Sequence, residues 1–225
     1  CPILYSKEKK MKNDKQSFAI HRLTFSGVML AIATAISVAC SLIPFFGLPY
    51  GGTVTLASML PIVIVSYVYG VKWGLFTSFT YAVIQVIADL VQGKSSVILA
   101  LPADGFGAVQ VISIILIDYF LAYTVLGLGG IFRNKIKNKT ASLVLGSVVA
   151  LFLRYVMHTV SGFIFYGSYA EWFFTQDGIY KIGKVILDST KGQLLAFVYS
   201  VIYNGMYMLP EIIITAVAAV AISRL

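Results

Sequence analysis

The most unusual side chain in this sequence is a carboxylate in the middle of an apolar stretch. Asp118 lies within Gly107–Phe132, where no other charged residue occurs before Arg133. A charge at the centre of a membrane helix costs roughly 3 kcal/mol on insertion scales, so such residues usually face the protein interior and serve a function. The partners of Asp118 are therefore the first clue to the chemistry of this chain.

A row of polar and aromatic residues follows at helical spacing. Arg154, His158, Gly162 and Tyr166 are separated by intervals of four, which places them along one face of a helix. The glycine between the imidazole and the aromatic ring predicts space beside the helix for a flat ligand.

A third group lies close to the C-terminus. Tyr199, Tyr203 and Tyr207 repeat at intervals of four, with Asn204 among them. At ~1.5 Å of rise per residue, Tyr199 and Asn204 reach the same depth in a bundle as Asp118, Tyr119 and His158. One anion, an imidazole, an amide and several aromatic faces suit a planar, cationic molecule that forms hydrogen bonds.

Each of these residues also has a purely structural interpretation. Asp118 could be paired with Arg154, His158 could be a satisfied core histidine, and Asn204 could hold two helices together. Arg154 and Glu211 are predicted at similar depths, and we favour a pair between them. That pairing would leave Asp118 free for a ligand.

The composition is that of a membrane protein. Of the 225 residues 59% are hydrophobic and 12% are charged, and the mean hydropathy is +0.88. The net charge of +8 does not indicate a nucleic-acid partner, because the basic residues cluster at the ends of apolar runs. Cys1 and Cys40 do not form the pattern of a disulfide framework. The expected surroundings are a lipid bilayer.

Apolar segments long enough to be membrane helices divide the chain, and none alternates as a barrel strand does. They predict an all-α integral membrane protein with a six-transmembrane-helix bundle. The predicted spans are Leu23–Pro44, Thr53–Tyr69, Lys72–Gln92, Gly107–Phe132, Ala141–Tyr166 and Gln193–Ala221.

The distribution of basic residues orients the bundle. With the N-terminus inside, twelve of the 17 Lys and Arg residues fall in inner segments and four in outer loops, while Arg154 lies within a span. The positive-inside rule then places the N- and C-termini in the cytoplasm. Residues 1–20 are predicted to be a basic cytoplasmic tail, and residues 21–225 the membrane domain.

The catalytic and nucleotide-binding motifs that we searched for are incomplete or absent. Gly178–Val185 has the spacing of a phosphate-binding loop, but Val185 replaces the Ser or Thr that binds Mg²⁺. No HExxH, CxxC or GxSxG motif occurs. We therefore expect no cofactor, no metal site and no ATPase within this chain.

Small residues repeat on the first predicted span. Ala31, Ala35 and Ala39 are spaced by four, which lets helix backbones approach closely. The stripe fits packing within the bundle or docking of another membrane subunit.

Several motifs together resemble one family, the thiamine-specific S components of energy-coupling-factor (ECF) vitamin transporters. The similar segments are Gly51–Pro61 and Gly70–Gly74 for the second and third helices, Asp118–Ala122 with Gly127–Gly130 for the fourth, Arg154–Ala170 for the fifth and Tyr199–Glu211 for the sixth. The fifth- and sixth-helix motifs are the most specific.

The resemblance implies a substrate-binding subunit in the bacterial cell membrane that is not an enzyme. Its partners would be thiamine, a transmembrane coupling subunit and two cytoplasmic ATPases. The alanine stripe matches the docking motif of the family. The thiamine-binding positions of the family fall on Asp118, Tyr119, His158, Gly162, Tyr166, Tyr199 and Asn204.

The sequence departs from the family pattern at two places. Some members carry Glu at the position of Asp118, which changes the reach of the carboxylate by one methylene. Some carry Trp at the position of Tyr166 and near Gly52. We expect Tyr166 to stack on the ligand and Tyr50 to replace the missing loop aromatic.

Other functions are compatible with the same residues. An S component for another planar vitamin or precursor would have the same fold with a different pocket. An intramembrane enzyme would use Asp118 and His158 as acid and base. A proton-coupled carrier would transport without ATPase subunits.

Overall fold

The computed structural model describes residues 2–48, 52–93 and 96–224, and within these ranges it contains helices and no strand. The helices are α1 (Pro2–Ser41), α2 (Leu60–Tyr69), α3 (Val71–Val91), α4 (Val97–Ala100), α5 (Ala108–Gly130), α6 (Lys139–Phe165), α7 (Ala170–Phe174), α8 (Tyr180–Ser189) and α9 (Gly192–Ile222). The predicted all-α class is confirmed.

In the described part of the chain, five helices are long and apolar enough to cross a membrane. They are Gln16–Ser41 of α1 together with α3, α5, α6 and α9. Each overlaps a predicted span, because an apolar run of about 20 residues is a strong signal by itself. The protein is therefore a multi-pass membrane protein. The described part of the predicted basic tail, residues 2–20, is continuous with the first span in α1.

The second predicted span is helical only in its second half. Helix α2 begins at Leu60 and has 10 residues, whereas a helix from Thr53 was predicted. Before it, Thr53 forms an isolated bridge with Gly47. Leu56 and Ala57 have positive φ angles of 48° and 64°, a conformation that side chains with a Cβ adopt at a cost.

A distant carboxylate holds this irregular segment in place. Glu211 of α9 is fully buried and accepts hydrogen bonds from the backbone N–H groups of Thr55 (2.7 Å) and Ala57 (2.9 Å). These charge-assisted bonds satisfy two backbone N–H groups of the non-helical segment. The apolar sequence of the segment carries no sign of this anchor.

One end of the bundle is closed by glycines that let backbones touch. A Cβ at Gly146 of α6 would overlap the carbonyl oxygen of Gly129, and a Cβ at Gly127 would overlap the backbone of α3. Ser66 of α2 joins the same region, donating to the carbonyl of Gly127 and accepting from the N–H of Gly130. Close approach of this kind is typical of membrane helices.

Helices α6 and α9 lie along each other and are tied by side-chain hydrogen bonds to the backbone. Ser200 Oγ donates to the carbonyl of Thr159 (2.7 Å), and the Tyr155 hydroxyl donates to the carbonyl of Val201 (2.9 Å). These bonds fix the rotation and the register of two helices that carry predicted site residues.

Helix α1 presents one face to the bundle and another away from it. Ser26, Ala33 and Cys40 are buried against the other helices. Ala31, Ala35 and Ala39, the predicted docking stripe, are all exposed on the opposite side of the helix. Within this chain, therefore, the stripe does not pack against the bundle.

We expect Gly146→Ala to lower the free energy of unfolding by about 1–3 kcal/mol, because its methyl group has to displace the backbone at Gly129. Gly27→Ala is the matched control, since a Cβ there meets nothing within 4 Å. It should leave stability unchanged or raise it by up to about 1 kcal/mol, because alanine favours the helix more than glycine does. Unfolding in detergent measures both, and equal midpoints for the two variants would contradict the role of the Gly146 contact.

Candidate functional site

A cavity of about 580 Å³ lies at the end of the bundle opposite the glycine contacts. It is lined by the C-terminal parts of α1, α3 and α6, by α5 and the first half of α9, and by the connectors that follow α1 and α3. The volume is within the usual range for a small-molecule site, ~300–1,000 Å³.

The structure brings all the predicted ligand-binding residues to this cavity. Its lining includes Asp118, Tyr119, His158, Gly162, Tyr166, Tyr199 and Asn204. Tyr50, predicted to supply a loop aromatic, lies outside the described residues.

A π-helix, Ile115–Leu121 within α5, carries two of these residues. It places Asp118 and the following Tyr119 on the cavity. Short π-helical segments occur frequently at functional sites, because the wider turn alters which side chains share a face. The apolar sequence around Asp118 gives no sign of this change in pitch.

The Asp118 carboxylate is held by α6. His158 Nδ1 lies 2.8 Å from Asp118 Oδ1, and Ser161 Oγ donates to Asp118 Oδ2 at 2.6 Å. The side chains of Asp118 and His158 are 17% and 11% exposed. A carboxylate offers about four acceptor positions, so two contacts leave capacity for a ligand.

Arg154 reaches Asp118 through His158. Its Nε donates to His158 Nε2 at 3.0 Å, its guanidinium carbon lies 4.0 Å from the centroid of the Tyr123 ring, and a terminal nitrogen contacts the sulfur of Met59. Arg154 as a whole is 7% exposed.

The predicted pair between Arg154 and Glu211 is wrong. In the described part of the chain the only ion pair within 4.0 Å is His158–Asp118, and Glu211 binds backbone N–H groups instead. Residue counting gives the depth of a side chain along a span but not its direction around the helix axis. The predicted pair would have left Asp118 free for a ligand, whereas in the structure His158 and Ser161 bind its carboxylate.

Asn204 is a junction between α6 and α9. Its amide donates to the carbonyls of Ser200 (2.8 Å) and His158 (3.2 Å), and its oxygen accepts from the Tyr207 hydroxyl (2.7 Å). Asn204 thus positions other groups of the site as well as lining the cavity.

Gly162 serves the same junction. A Cβ there would overlap Ser200 Oγ and lie 3.0 Å from Asn204 Nδ2. The prediction that this glycine leaves space for a ligand is wrong in that respect, because α9 fills the space.

Aromatic rings form two further parts of the wall. Tyr199 and Tyr203 have ring centroids 5.6 Å apart, and Phe173 of α7 lies 5.2 Å from the first and 5.6 Å from the second. Tyr166 lies 5.3 Å from Phe106 in the connector before α5. These rings offer flat apolar surface at the distances typical of aromatic contacts.

Tyr207 belongs to the site although the sequence interpretation did not assign it. Its ring meets the His158 ring edge to face at 5.9 Å, and its hydroxyl holds Asn204. The signal was present, since Tyr207 continues the spacing of Tyr199 and Tyr203.

A second carboxylate in the lining was also missed. Asp89, near the end of α3, accepts from Ser96 Oγ and from the N–H groups of Val97 (3.1 Å) and Ile98 (3.1 Å). It therefore fixes the start of α4. Its position near the end of an apolar span was the available signal.

The charges of the described lining favour a cation. Asp89, Asp104 and Asp118 face the cavity, whereas Arg154 is its one basic side chain besides His158. Two donor nitrogens of Arg154 contact His158 and Met59. An acidic site with aromatic walls is suited to a planar cation.

The fold and the cavity define the class, a multi-pass helical membrane protein with a small-molecule site. The family model of the thiamine transporter proteins matches residues 27–172, so the chain belongs to that family.

Two known proteins are similar over nearly the whole chain. The thiamine transporter ThiT of Bacillus subtilis (strain 168) is 28% identical over 211 residues, covering 90% of each protein. The solved structure of ThiT from Listeria monocytogenes has a TM-score of 0.55 and 17% identity, over 88% of this chain and 93% of that one. The structural likeness is one of fold.

We expect Glu211→Gln to loosen the segment between α1 and α2. A glutamine side chain replaces one carboxylate oxygen by an NH₂ donor, so one of the N–H groups of Thr55 and Ala57 would face a donor instead of an acceptor. Hydrogen exchange at residues 55–57 should accelerate, and the free energy of unfolding should fall by about 1–3 kcal/mol. Glu171→Gln, at an exposed position of α7, is the control. Unchanged protection at residues 55–57 would contradict the anchoring role.

Proposed function

We propose that this chain is the thiamine-binding S component of an ECF-type importer and captures thiamine from outside the cell. Membership of the thiamine transporter family supports the substrate. The observation that carries the proposal is the Asp118 carboxylate at an aromatic-lined cavity with an excess of acidic groups. Thiamine is a cation with two flat rings whose edges form hydrogen bonds, and this site offers the complementary groups.

We assign roles to the seven predicted residues from their positions on the cavity. Asp118 balances the thiazolium charge or accepts from the aminopyrimidine. His158, Tyr199 and Asn204 serve the ring edges and the hydroxyethyl group, and Tyr166 stacks. Tyr119 completes the wall beside Asp118, and Gly162 permits the contact of α6 with α9 that places Asn204.

The preferred ligand is the unphosphorylated vitamin. A phosphate ester needs free cationic donors. Two donor nitrogens of Arg154 are already engaged, one with His158 and one with Met59. Three aspartates on the same cavity would repel an added phosphate.

We propose six membrane crossings with both termini in the cytoplasm, α2 and the segment before it forming the second. Two observations support this orientation. Gly70 at the α2–α3 junction lies beside Arg133, so the basic residues near both connectors gather at one end of the bundle. That is the end opposite the cavity, which then opens to the outside. Residues 1–20 form the cytoplasmic tail, residues 21–225 form the membrane domain, and the membrane is the bacterial plasma membrane.

The proposed partners are a transmembrane coupling subunit and two cytoplasmic ATPases. The exposed stripe Ala31, Ala35 and Ala39 on α1 is the proposed docking surface for the coupling subunit. Small residues there allow a partner helix to approach closely. On this proposal the chain is a binding subunit and carries out no catalysis.

We expect Asp118→Asn and His158→Ala each to weaken thiamine binding roughly 10- to 150-fold, the cost of losing a hydrogen bond to a charged group. Calorimetry with purified protein in detergent measures the affinity. Asp188→Asn, in the exposed helix α8, is the control and should bind normally. Unchanged affinity in both site variants would defeat the assignment.

We expect Ala35→Trp to leave thiamine affinity unchanged and to abolish uptake. The indole would keep a partner helix from approaching α1, while Ala35 faces away from the bundle and its cavity. Uptake of labelled thiamine by cells that also make the partner subunits measures the effect. Leu23→Trp, another exposed position on α1, is the control for bulk alone. Normal uptake by Ala35→Trp would count against the docking stripe.

A further inference from the structure

We infer that Arg154 is a positioning residue that keeps His158 uncharged and so preserves the negative charge of Asp118 for a cationic ligand. The effect on ligand binding rests on the proposed thiamine-binding function, but the hydrogen-bond arrangement of His158 can be tested without any ligand. It concerns Arg154, a buried cation whose charge no direct carboxylate contact explains in the described residues.

The direction of each hydrogen bond follows from what the groups can donate. A guanidinium nitrogen only donates, so His158 Nε2, 3.0 Å from Arg154 Nε, must accept with a lone pair. The proton of the neutral imidazole then lies on Nδ1, which donates to Asp118 Oδ1 at 2.8 Å. This assignment satisfies both ring nitrogens with a single proton.

Arg154 therefore selects the tautomer as well as the charge of His158. In the other neutral tautomer, the Nε2–H would point at the Arg154 Nε–H, and the Nδ1 lone pair would face the Asp118 carboxylate. A second proton on Nε2 would set an imidazolium beside a guanidinium, two like charges at hydrogen-bond distance. The arginine cannot turn away at no cost, because it lies over the Tyr123 ring and against Met59.

The charged and titratable groups around His158 come from each helix packed against it. Asp118 of α5 accepts its proton, Arg154 of α6 occupies its other nitrogen, and the Tyr207 ring of α9 lies edge to face with it. Arg154 in turn lies near Tyr81, Tyr123 and Glu211.

The consequence for a ligand is electrostatic. With His158 neutral, Asp118 remains an anion that presents its unused lone pairs to the cavity. If His158 became an imidazolium, its charge would offset that of Asp118 and repel a cation entering the site. Arg154, although positive itself, thereby favours the binding of a positive ligand.

The structural part is tested by nitrogen NMR of His158. The chain has two histidines, so His21→Gln, at an exposed position of α1, leaves His158 as the sole imidazole. With ¹⁵N-labelled histidine, we expect one protonated nitrogen, Nδ1, and one lone-pair nitrogen, Nε2, from about pH 5.5 to 8, around the ordinary imidazole range near pH 6.5. A proton on Nε2, or two protonated nitrogens at pH 7, would overturn the inference whether or not the protein binds thiamine.

The functional part is tested with Arg154→Met, which removes both donor and charge. Without the guanidinium, His158 can take a second proton at a higher pH than in the wild type, and only the neutral form remains competent. Relative to the wild type at each pH, thiamine affinity should fall severalfold between about pH 7.5 and 5.5, because a growing share of the imidazole is protonated. The ratio to the wild type removes the titration of the ligand itself.

Two further variants separate positioning from loss of fold. Arg154→Lys keeps a donor and a charge and should restore a flat affinity ratio. The double variant Arg154→Met with His158→Gln has no titrating ring at this position. Its affinity ratio to the wild type should also be independent of pH, at a lower affinity. A flat ratio for Arg154→Met alone would overturn the inference. If neither the wild type nor any variant bound thiamine, the proposed function would be rejected, and the NMR result alone would decide the positioning role.

Discussion

The site depends on a linear hydrogen-bond chain that runs from Arg154 through His158 to Asp118, with Ser161 on the other carboxylate oxygen. A buried carboxylate or guanidinium without a partner is costly. Removing one member of a buried charged set therefore destabilises a protein more than replacing the whole set by apolar residues does. Each link therefore constrains the next. The hydrogen-bond chain joins α5 to α6, and Asn204 extends it to α9 through the carbonyl of His158.

The two ends of the bundle are built on different principles. At one end Gly127, Gly129 and Gly146 let neighbouring elements approach in direct contact. At the other end tyrosines and carboxylates keep the helices apart around about 580 Å³ of space. Because close-packed interiors yield little, the rigid end sets the helix directions from which the cavity walls diverge.

Much of this arrangement could be predicted from the sequence, for identifiable reasons. The spans followed from the length of the apolar runs, and the seven site residues from helical spacing, depth and resemblance. The segment 53–57 was predicted wrongly because it is as apolar as a helix, and only Glu211, more than 150 residues away, decides its backbone. The partner of Arg154 was wrong because depth along a span does not give rotation about the helix axis.

The π-helix at Ile115–Leu121 has a consequence for reading related sequences. A wider turn uses more residues for the same rotation, so the helical phase before it and the phase after it do not match. Ile114, before the π-helix, faces the cavity. Gly127 and Gly129, after it, face the neighbouring elements. The number of residues between Ile114 and Gly127 is thus as much a part of the site as their identity. A homologue one residue shorter here would have to rotate either its carboxylate or its glycine contacts, and an alignment without a gap would conceal that choice.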